Sequence, residues 1–510
     1  MALQIPITGI PSNFRTPGAY AEILFAQGPA SAAAGVRDVV IVMPKTSAGT
    51  GTVNTLYPCP NALTAEQLAG PGSPAHRAAR RFLSINKDAK LFLLLYSETS
   101  GGSPAAATAK LTLTTTSTGT GTLSVWVAGE LCEYTFPSGT SVSDIGDGIT
   151  AVINSKTWLP CTASNNAGVV TLTAKIVGAS QGTATLGVIR VRAEITSGVG
   201  TTAAFGGAWL GTDQAGAEGS TTEAANLATA LQVLDSTRKY YIVVSEHSAT
   251  GLGNLKAHIV TKSEPKRGLR SVGIAGYTGA FSGAATLANA LNYERIQIAC
   301  QPNSEHDVAE IVGEIAAVRQ KEEGVDTAFN FDGYRLTLQP AYSAADRPDA
   351  DDISDALNDG VTPIASNESG SYIAMSVNTR SKNSAGTVDD FRAAETHRIS
   401  VCDEFTDEEL QEFALNFSSK KLADDELLAD GRFNPNQTQI PKVVRPSSFR
   451  QHILQRLDNF EVAGKLQSVA ASKESLRVVK TGSRLEVGLD LHVIDHLHQA
   501  TYRLAEVSSG

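Results

Sequence analysis

Short runs of consecutive apolar residues alternate along this chain with segments whose apolar positions recur every three or four residues. "DVVIVMP" (38–44), "KLFLLLY" (90–96), "KYYIVVSE" (239–246), "RSVGIAGY" (270–277) and "RIQIACQP" (295–302) have the look of strands covered on both faces. Between them lie helical patterns at 73–86, 221–236, 253–264 and 282–292, then a last one in which Val308, Ile311, Val312, Ile315 and Val318 share a face. Ser73 followed by Pro74 marks one helix start, and Ser304/Asp307 and Ser220/Glu223 have capping-box spacing. Continuous apolar strands alternating with amphipathic helices predict a parallel sheet with helices on both sides. The predicted centre is thus a doubly wound, mostly parallel α/β domain, discontinuous over 26–100 and 216–340.

The rhythm breaks from 101 to 215. "AKLTLTTTSTGTGTLSVWVAGELCEYTF" (109–136) and "GVVTLTAKI" (168–176) alternate with period two and are rich in Thr and Val. This predicts a mostly β insertion domain, joined through the flexible-looking linkers "SGGSPAAATA" and "GTDQAGAEGS". From 341 to 490 strands mix with helix candidates such as "SFRQHILQRLDNF" (448–460), an α+β C-terminal domain. Residues 1–25 and 491–510 are expected to be extended arms, with Leu3, Ile5 and Ile7 alternating in the first.

Composition narrows the function classes. The net charge is −10, and no basic run interleaved with aromatics occurs, which argues against nucleic acid. Apolar runs are too short to span a bilayer, and the first residues lack the basic-then-apolar pattern of a secretory signal. Cys59, Cys132, Cys161, Cys300 and Cys402 are scattered and form no C-x-x-C, so they read as buried free thiols. The acidic stretch Asp403–Asp430 and the basic stretch Lys442–Arg484 could meet across subunits or simply be solvated.

Several stretches invite a chemical reading. Gly273, Gly276 and Gly279 lie between a strand and a helix, but their spacing is not that of a dinucleotide or P-loop, and a tight βα turn is preferred. "SGTSVSD" resembles a protease nucleophile turn, yet Ser141 with Asp144 caps the helix that follows. The Asp run 346–359 has Ile353 where a calcium ligand is needed and fits an acidic helix start. His492, His496 and His498 fall on one parity of an alternating pattern that starts at Leu485, so on one strand they would share a face. A zinc site still needs a third ligand. The expectation is therefore no metal, with the histidines incidental to a terminal strand "QATYRLAEV" (499–507) that pairs with another sheet.

Read in order, "RTPGAYAEILF" (15–25), "GPGSPAHRAARRF" (70–82), "LNDGVTPI" (357–364) and "FRQHILQRL" (449–457) resemble the tail sheath proteins of contractile-tailed phages, most closely the Mu-like type. The likeness extends over most of the chain. It implies a structural subunit without catalytic residues or cofactor, polymerising as stacked hexameric rings and contracting to drive a tube through the host envelope. It also implies a place in the virion tail after assembly in the host cytoplasm. The implied partners are further copies of the chain, the tail tube protein, and the baseplate and tail terminator proteins, with no nucleic acid and no membrane insertion. The implied interface residues, in arms exchanged between neighbours, are Leu3, Ile5, Ile7, Tyr20, Leu497, Gln499, Thr501, Tyr502, Leu504 and Val507. Three other readings stand beside it: an α/β nucleotide- or sugar-binding enzyme, an exported adhesin, and the sheath of a headless contractile particle. The enzyme would need a polar constellation at the C-terminal ends of the sheet strands, where the sequence shows none, and the adhesin an export signal, which is not seen.

Overall fold

The computed structural model describes residues 37–182, 188–196, 199–341, 343–383, 386–426, 434 and 440–498. The arm residues Leu3, Ile5, Ile7, Tyr20, Gln499, Thr501, Tyr502, Leu504 and Val507 lie outside the described residues, as does the segment "RTPGAYAEILF".

Val39–Lys45 (β1) is apolar up to its final lysine because both its faces are covered. Val39, Ile41 and Met43 belong to one core with Ala75, Ala78 and Phe82, whereas Val40 and Val42 belong to another with Leu227, Leu231 and Leu255. Leu56–Pro58 (β2) and Leu91–Ser97 (β3) follow, with Ala62–Ala69 (α1) and Pro74–Ile85 (α2) between them. The predicted Ser73 cap is present: its hydroxyl accepts from the His76 N–H at 3.2 Å, with Pro74 in the first turn.

The insertion has two antiparallel sheets. Its strands are Ala106–Thr114 (β4), Gly121–Val127 (β5), Glu130–Phe136 (β6), Cys161–Asn166 (β7), Val169–Val177 (β8), Val191–Ile195 (β9) and Thr202–Phe205 (β10). They order as β10-β4-β8-β7 and β6-β5-β9, with Val142–Ser155 (α3) packed through Ile145, Ile149 and Ile153. The linkers are not loose. Ser100 bridges Thr221, Ala105 bridges Ala217 and Thr108 bridges Gln214. The insertion also shares a continuous apolar core with α2, and Arg190 and Arg192 both reach Glu305, at 3.3 and 3.5 Å. Backbone pairing holds the Gly/Ser/Ala segments where composition alone predicts a tether.

The chain then adds Glu223–Leu231 (α4), Tyr241–Val244 (β11), Ala249–Ser263 (α5), Val272–Tyr277 (β12), Phe281–Leu291 (α6), Ile296–Cys300 (β13) and Val308–Glu322 (α7). Tyr334–Arg335 (β14), Ala350–Asn358 (α8), Thr362–Asn367 (β15) and Gly370–Ile373 (β16) complete a nine-stranded sheet, ordered β14-β16-β15-β13-β12-β11-β1-β3-β2. Six consecutive strands, β15 to β3, are parallel; β2 adds antiparallel at one side, and β16 then β14 add by antiparallel pairs at the other. The sheet runs to Ile373, past residue 340, where the sequence reading closes the central domain. Helix starts differ too. Asp307, not Ser304, caps α7, accepting from Glu310 N–H at 3.1 Å, and Thr222 rather than Ser220 caps α4.

Thr396–Glu412 (α9) joins the C-terminal part to this sheet through buried charge. Asp403 receives Arg295 at 2.7 and 2.9 Å, Arg270 at 3.2 Å and the Tyr240 hydroxyl at 3.1 Å. Burial alone would raise its carboxyl, but Arg295 and Arg270 win and hold it at about 2. Close by, Glu323 accepts from Arg37 and Arg319 at 2.7 Å and from the Tyr241 and Ser400 hydroxyls at 2.5 Å. Pro446–Val462 (α10) and Val469–Ser475 (α11) enclose a third core with Phe405, Phe449, Ile453, Leu457 and Phe460. The acidic and basic stretches meet within one chain: Glu408 and Glu409 on Arg456, Glu426 on Arg445, and Asp424 on Lys480. Both expectations for them, pairing across subunits and free solvation, are therefore corrected at these residues.

Candidate functional site

An α/β enzyme would work where the strand order reverses, at the C-terminal ends of β3 and β11 on either side of β1. Contrary to the sequence reading, polar groups do gather there: Glu98, Glu218, Glu223 and Glu246. Backbone amides hold three of them. Glu98 accepts from Val177 N–H (3.0 Å), Glu218 from the Ala179 and Glu223 N–H groups (3.1 and 3.0 Å), and Glu246 from Ser248 N–H (2.7 Å). Glu223 is buried, and burial, with Glu246 next, raises its pKa well above the ordinary range. The chain leaves the sheet for the insertion at this crevice. Its carboxylates fasten the insertion and hold the backbone of Ser248, the residue that caps α5, which is a structural use of the position.

The other sequence candidates resolve locally. Gly273 and Gly276 lie inside β12, not in a turn, and serve close packing: a Cβ would stand 2.9 Å from Leu255 and Ile259 at the first, and 2.7 Å from Val312 at the second. Gly279 alone lies in the βα connection. Ser141 caps α3, accepting from Asp144 N–H (3.2 Å) and donating to its carboxylate (2.7 Å). Asp349 caps α8 in a capping box with Asp352, while Asp346 holds Asn303 at 3.0 Å. All five cysteines are buried free thiols, as expected; burial pushes Cys59, Cys161 and Cys402 up to about 12. Among the described residues, no helix is long and apolar enough to cross a membrane.

The C-terminal histidines behave differently from the prediction. The strand stops early: Arg484–Gly488 pairs with Arg477–Thr481 as a two-stranded sheet, and residues 489–498 leave it. The tail then runs beside 465–467, with a Leu466–Val493 bridge and Gln467 donating to Val493 O (2.9 Å) and Asp495 (2.8 Å). Parity along one strand therefore no longer relates the three rings. His492 contributes its carbonyl to Gln467 N–H (3.1 Å), and burial lowers its imidazole.

His496 and His498 instead converge on Glu395, the residue at the start of α9. Glu395 Oε2 lies 3.1 Å from His498 Nε2, 3.3 Å from His397 Nδ1 and 3.6 Å from His496 Nδ1. The rings of His397 and His496 stack with centroids 3.9 Å apart. His496 Nε2 meets Ala328 O at 2.8 Å, His397 Nε2 meets Ile494 O at 3.2 Å, and His498 Nδ1 contacts the Asp332 carboxylate. Burial drives His397 down to about 3, against the pull of Glu395. It also pulls on His498, but Asp332 and Glu395 outweigh it and hold that imidazole above its ordinary value. Phe329, Phe331 and Met375 wall the cleft these groups line. Glu395, His397 and Asp332 escape sequence reasoning. "ETH" (395–397) is the one local sign, and E-x-H is too common to point anywhere without a partner about a hundred residues away. Leu497, the one predicted interface residue among the described residues, is 83% exposed.

No protein-family model and no curated protein matches the chain. Among solved structures it is similar to the sheath tail protein from Desulfitobacterium hafniense (14% identity, 92% of this chain and 93% of that one, TM-score 0.45). It is also similar to the sheath tail protein from Listeria innocua (12% identity, 88% and 89%, TM-score 0.43). A third is a chain of the anti-feeding prophage baseplate in its contracted state (11% identity, 98% and 99%, TM-score 0.44).

Proposed function

We propose that this chain is a structural subunit of a contractile tail sheath, stacked as hexameric rings around a tail tube and acting without catalysis. Its ends would exchange strands with neighbouring copies, and its ring stack would meet a baseplate at one end and a terminator at the other. The observation that carries the reading is the two-stranded sheet Arg477–Thr481/Arg484–Gly488. Among the described residues its strand Arg477–Thr481 is paired only with Arg484–Gly488. Half-used strand edges are templates for a further strand from another chain. The tail emerges a few residues later, with Leu497 exposed at its root. The segments that carry the sequence resemblance also support it. "GPGSPAHRAARRF" builds α2 in the main core, "LNDGVTPI" joins α8 to β15, and "FRQHILQRL" supplies Phe449, Ile453 and Leu457 to the C-terminal core.

A repeating head-to-tail contact that does not close makes a tube, so negative-stain microscopy of the purified chain tests the proposal. Long hollow tubes are expected, and deletion of 499–510 should leave a folded subunit that no longer forms them. A uniform small oligomer from the full chain, or tubes from the deletion, would overturn it.

A further inference from the structure

We infer that Glu395, His496 and His498 bind a divalent transition metal of the zinc class, which fastens the root of the C-terminal tail to the start of α9. One ligand atom from each lies within 4.8 Å of the other two. Zinc bonds of about 2.0–2.1 Å put tetrahedral ligands roughly 3.3 Å apart, so closure needs at most about 1.5 Å of movement. Glu395 Oε2 is already 3.1 and 3.6 Å from the two imidazole nitrogens. Two imidazoles with one carboxylate suit zinc or its neighbours, whereas calcium and magnesium take oxygen ligands.

The surroundings carry the argument further than proximity does. A carbonyl can only accept, so the His496 Nε2 that meets Ala328 O at 2.8 Å donates to it, and Nδ1 faces Glu395. The same logic holds for His397, whose Nε2 meets Ile494 O at 3.2 Å and whose Nδ1 lies 3.3 Å from the same carboxylate oxygen. His498 turns Nδ1 to Asp332 and Nε2 inward. Arg398 holds the other Glu395 oxygen at 3.0 Å, leaving Oε2 for the centre. A cation at the centre would be met by Glu395 Oε2 and by the inward nitrogens of His496 and His498 together. Metal-binding histidines commonly give their outer N–H to a carbonyl or carboxylate, the pattern seen at all three rings. His397 is the nearest further donor.

The inference stands apart from the sheath proposal, because it concerns one chain. The full chain, stripped with a chelator, is titrated with zinc, and with cobalt as a spectroscopic probe. One equivalent per chain is expected, with the visible bands of four-coordinate cobalt. Glu395→Gln and His498→Gln should each weaken binding by at least about tenfold, while His492→Gln should leave it unchanged. Hydrogen exchange of residues 491–498 in the unsubstituted protein gives a readout that survives a misfolded variant, and zinc should slow it. The inference is overturned by substoichiometric zinc, by undiminished affinity in the Glu395→Gln or His498→Gln variant, or by exchange that zinc does not alter.

Discussion

Asp403→Ala is the sharpest perturbation of the way the C-terminal part is attached. Asp403 is fully buried and offsets the Arg295 guanidinium through two bonds and that of Arg270 through one. Removing one member of a buried pair typically costs about 3–5 kcal/mol, because the other is left buried and uncompensated. The depressed carboxyl gives a second figure. A fall from 3.8 to about 2 corresponds to roughly 2–3 kcal/mol. The sign follows from linkage: a folded pKa below the unfolded one stabilises above pH ~4, and the benefit is lost as pH falls toward 2. The assay is urea unfolding followed by far-UV circular dichroism. Tryptophan emission, recorded in parallel, reports the insertion alone, since Trp126, Trp158 and Trp209 all lie there. Asp403→Ala should lower stability at neutral pH by about 3 kcal/mol, and the difference should vanish near pH 2. Asp403→Leu combined with Arg295→Met should recover part of the loss, since apolar replacements of buried pairs often do. A loss below about 1 kcal/mol, the size of an exposed ion pair, would refute the argument.

Two further outcomes follow from burial and packing. Burial lifts Glu404 to about 7, against the pull of the Thr327 hydroxyl, Lys465 at 3.5 Å and the more distant Arg37; Lys465 also reaches Asp326 at 3.9 Å. The folded state then binds more protons than the unfolded between pH 4.5 and 7, so stability falls as pH rises through that window. Glu404→Gln should be about 1–3 kcal/mol more stable than the parent at pH 8 and should flatten the slope; a less stable variant there would contradict this. Gly148 in α3 packs directly on the Tyr134 ring, with no room for a Cβ. Gly148→Ala should destabilise by about 1–3 kcal/mol by tryptophan-monitored unfolding. A gain of ~1 kcal/mol, as helix propensity alone would give, would show that the ring moves aside.

What the sequence made legible is what local pattern encodes. Consecutive apolar residues at Val39–Met43 and Leu91–Tyr96 mark strands buried on both faces, and Ser73 and Ser141 declare their helix starts. The caps at Ser304 and Ser220 fail because Asp307 and Thr222, nearer the helices, take the exposed N–H groups. The strands at 362–373 are hidden by Pro363 and a run of polar residues. Thr362 and Ser371 are buried there, but Thr362 donates to Val377 O and Ser371 to Gln339 O, so their polar groups are satisfied without apolar continuity. The cluster at Glu395 is the least legible feature. Its parts come from 332, 395–397 and 496–498, and only the fold of the tail along 465–467 brings them together. Spacing misled there, since the shared parity of the histidines has meaning only on a strand that ends at Gly488.

The edges of the large sheet have a consequence for handling as well as for architecture. Among the described residues the sheet ends at one side in three residues closing on Pro58, and at the other in the two residues Tyr334–Arg335. Neither offers a run of free amides long enough to recruit a stranger, and proline cannot donate at all. Crowding many copies together therefore carries little risk of the amyloid-like zippering that a long, flat edge invites. Any aggregation on heating should therefore begin at the small two-stranded sheets rather than at the largest one.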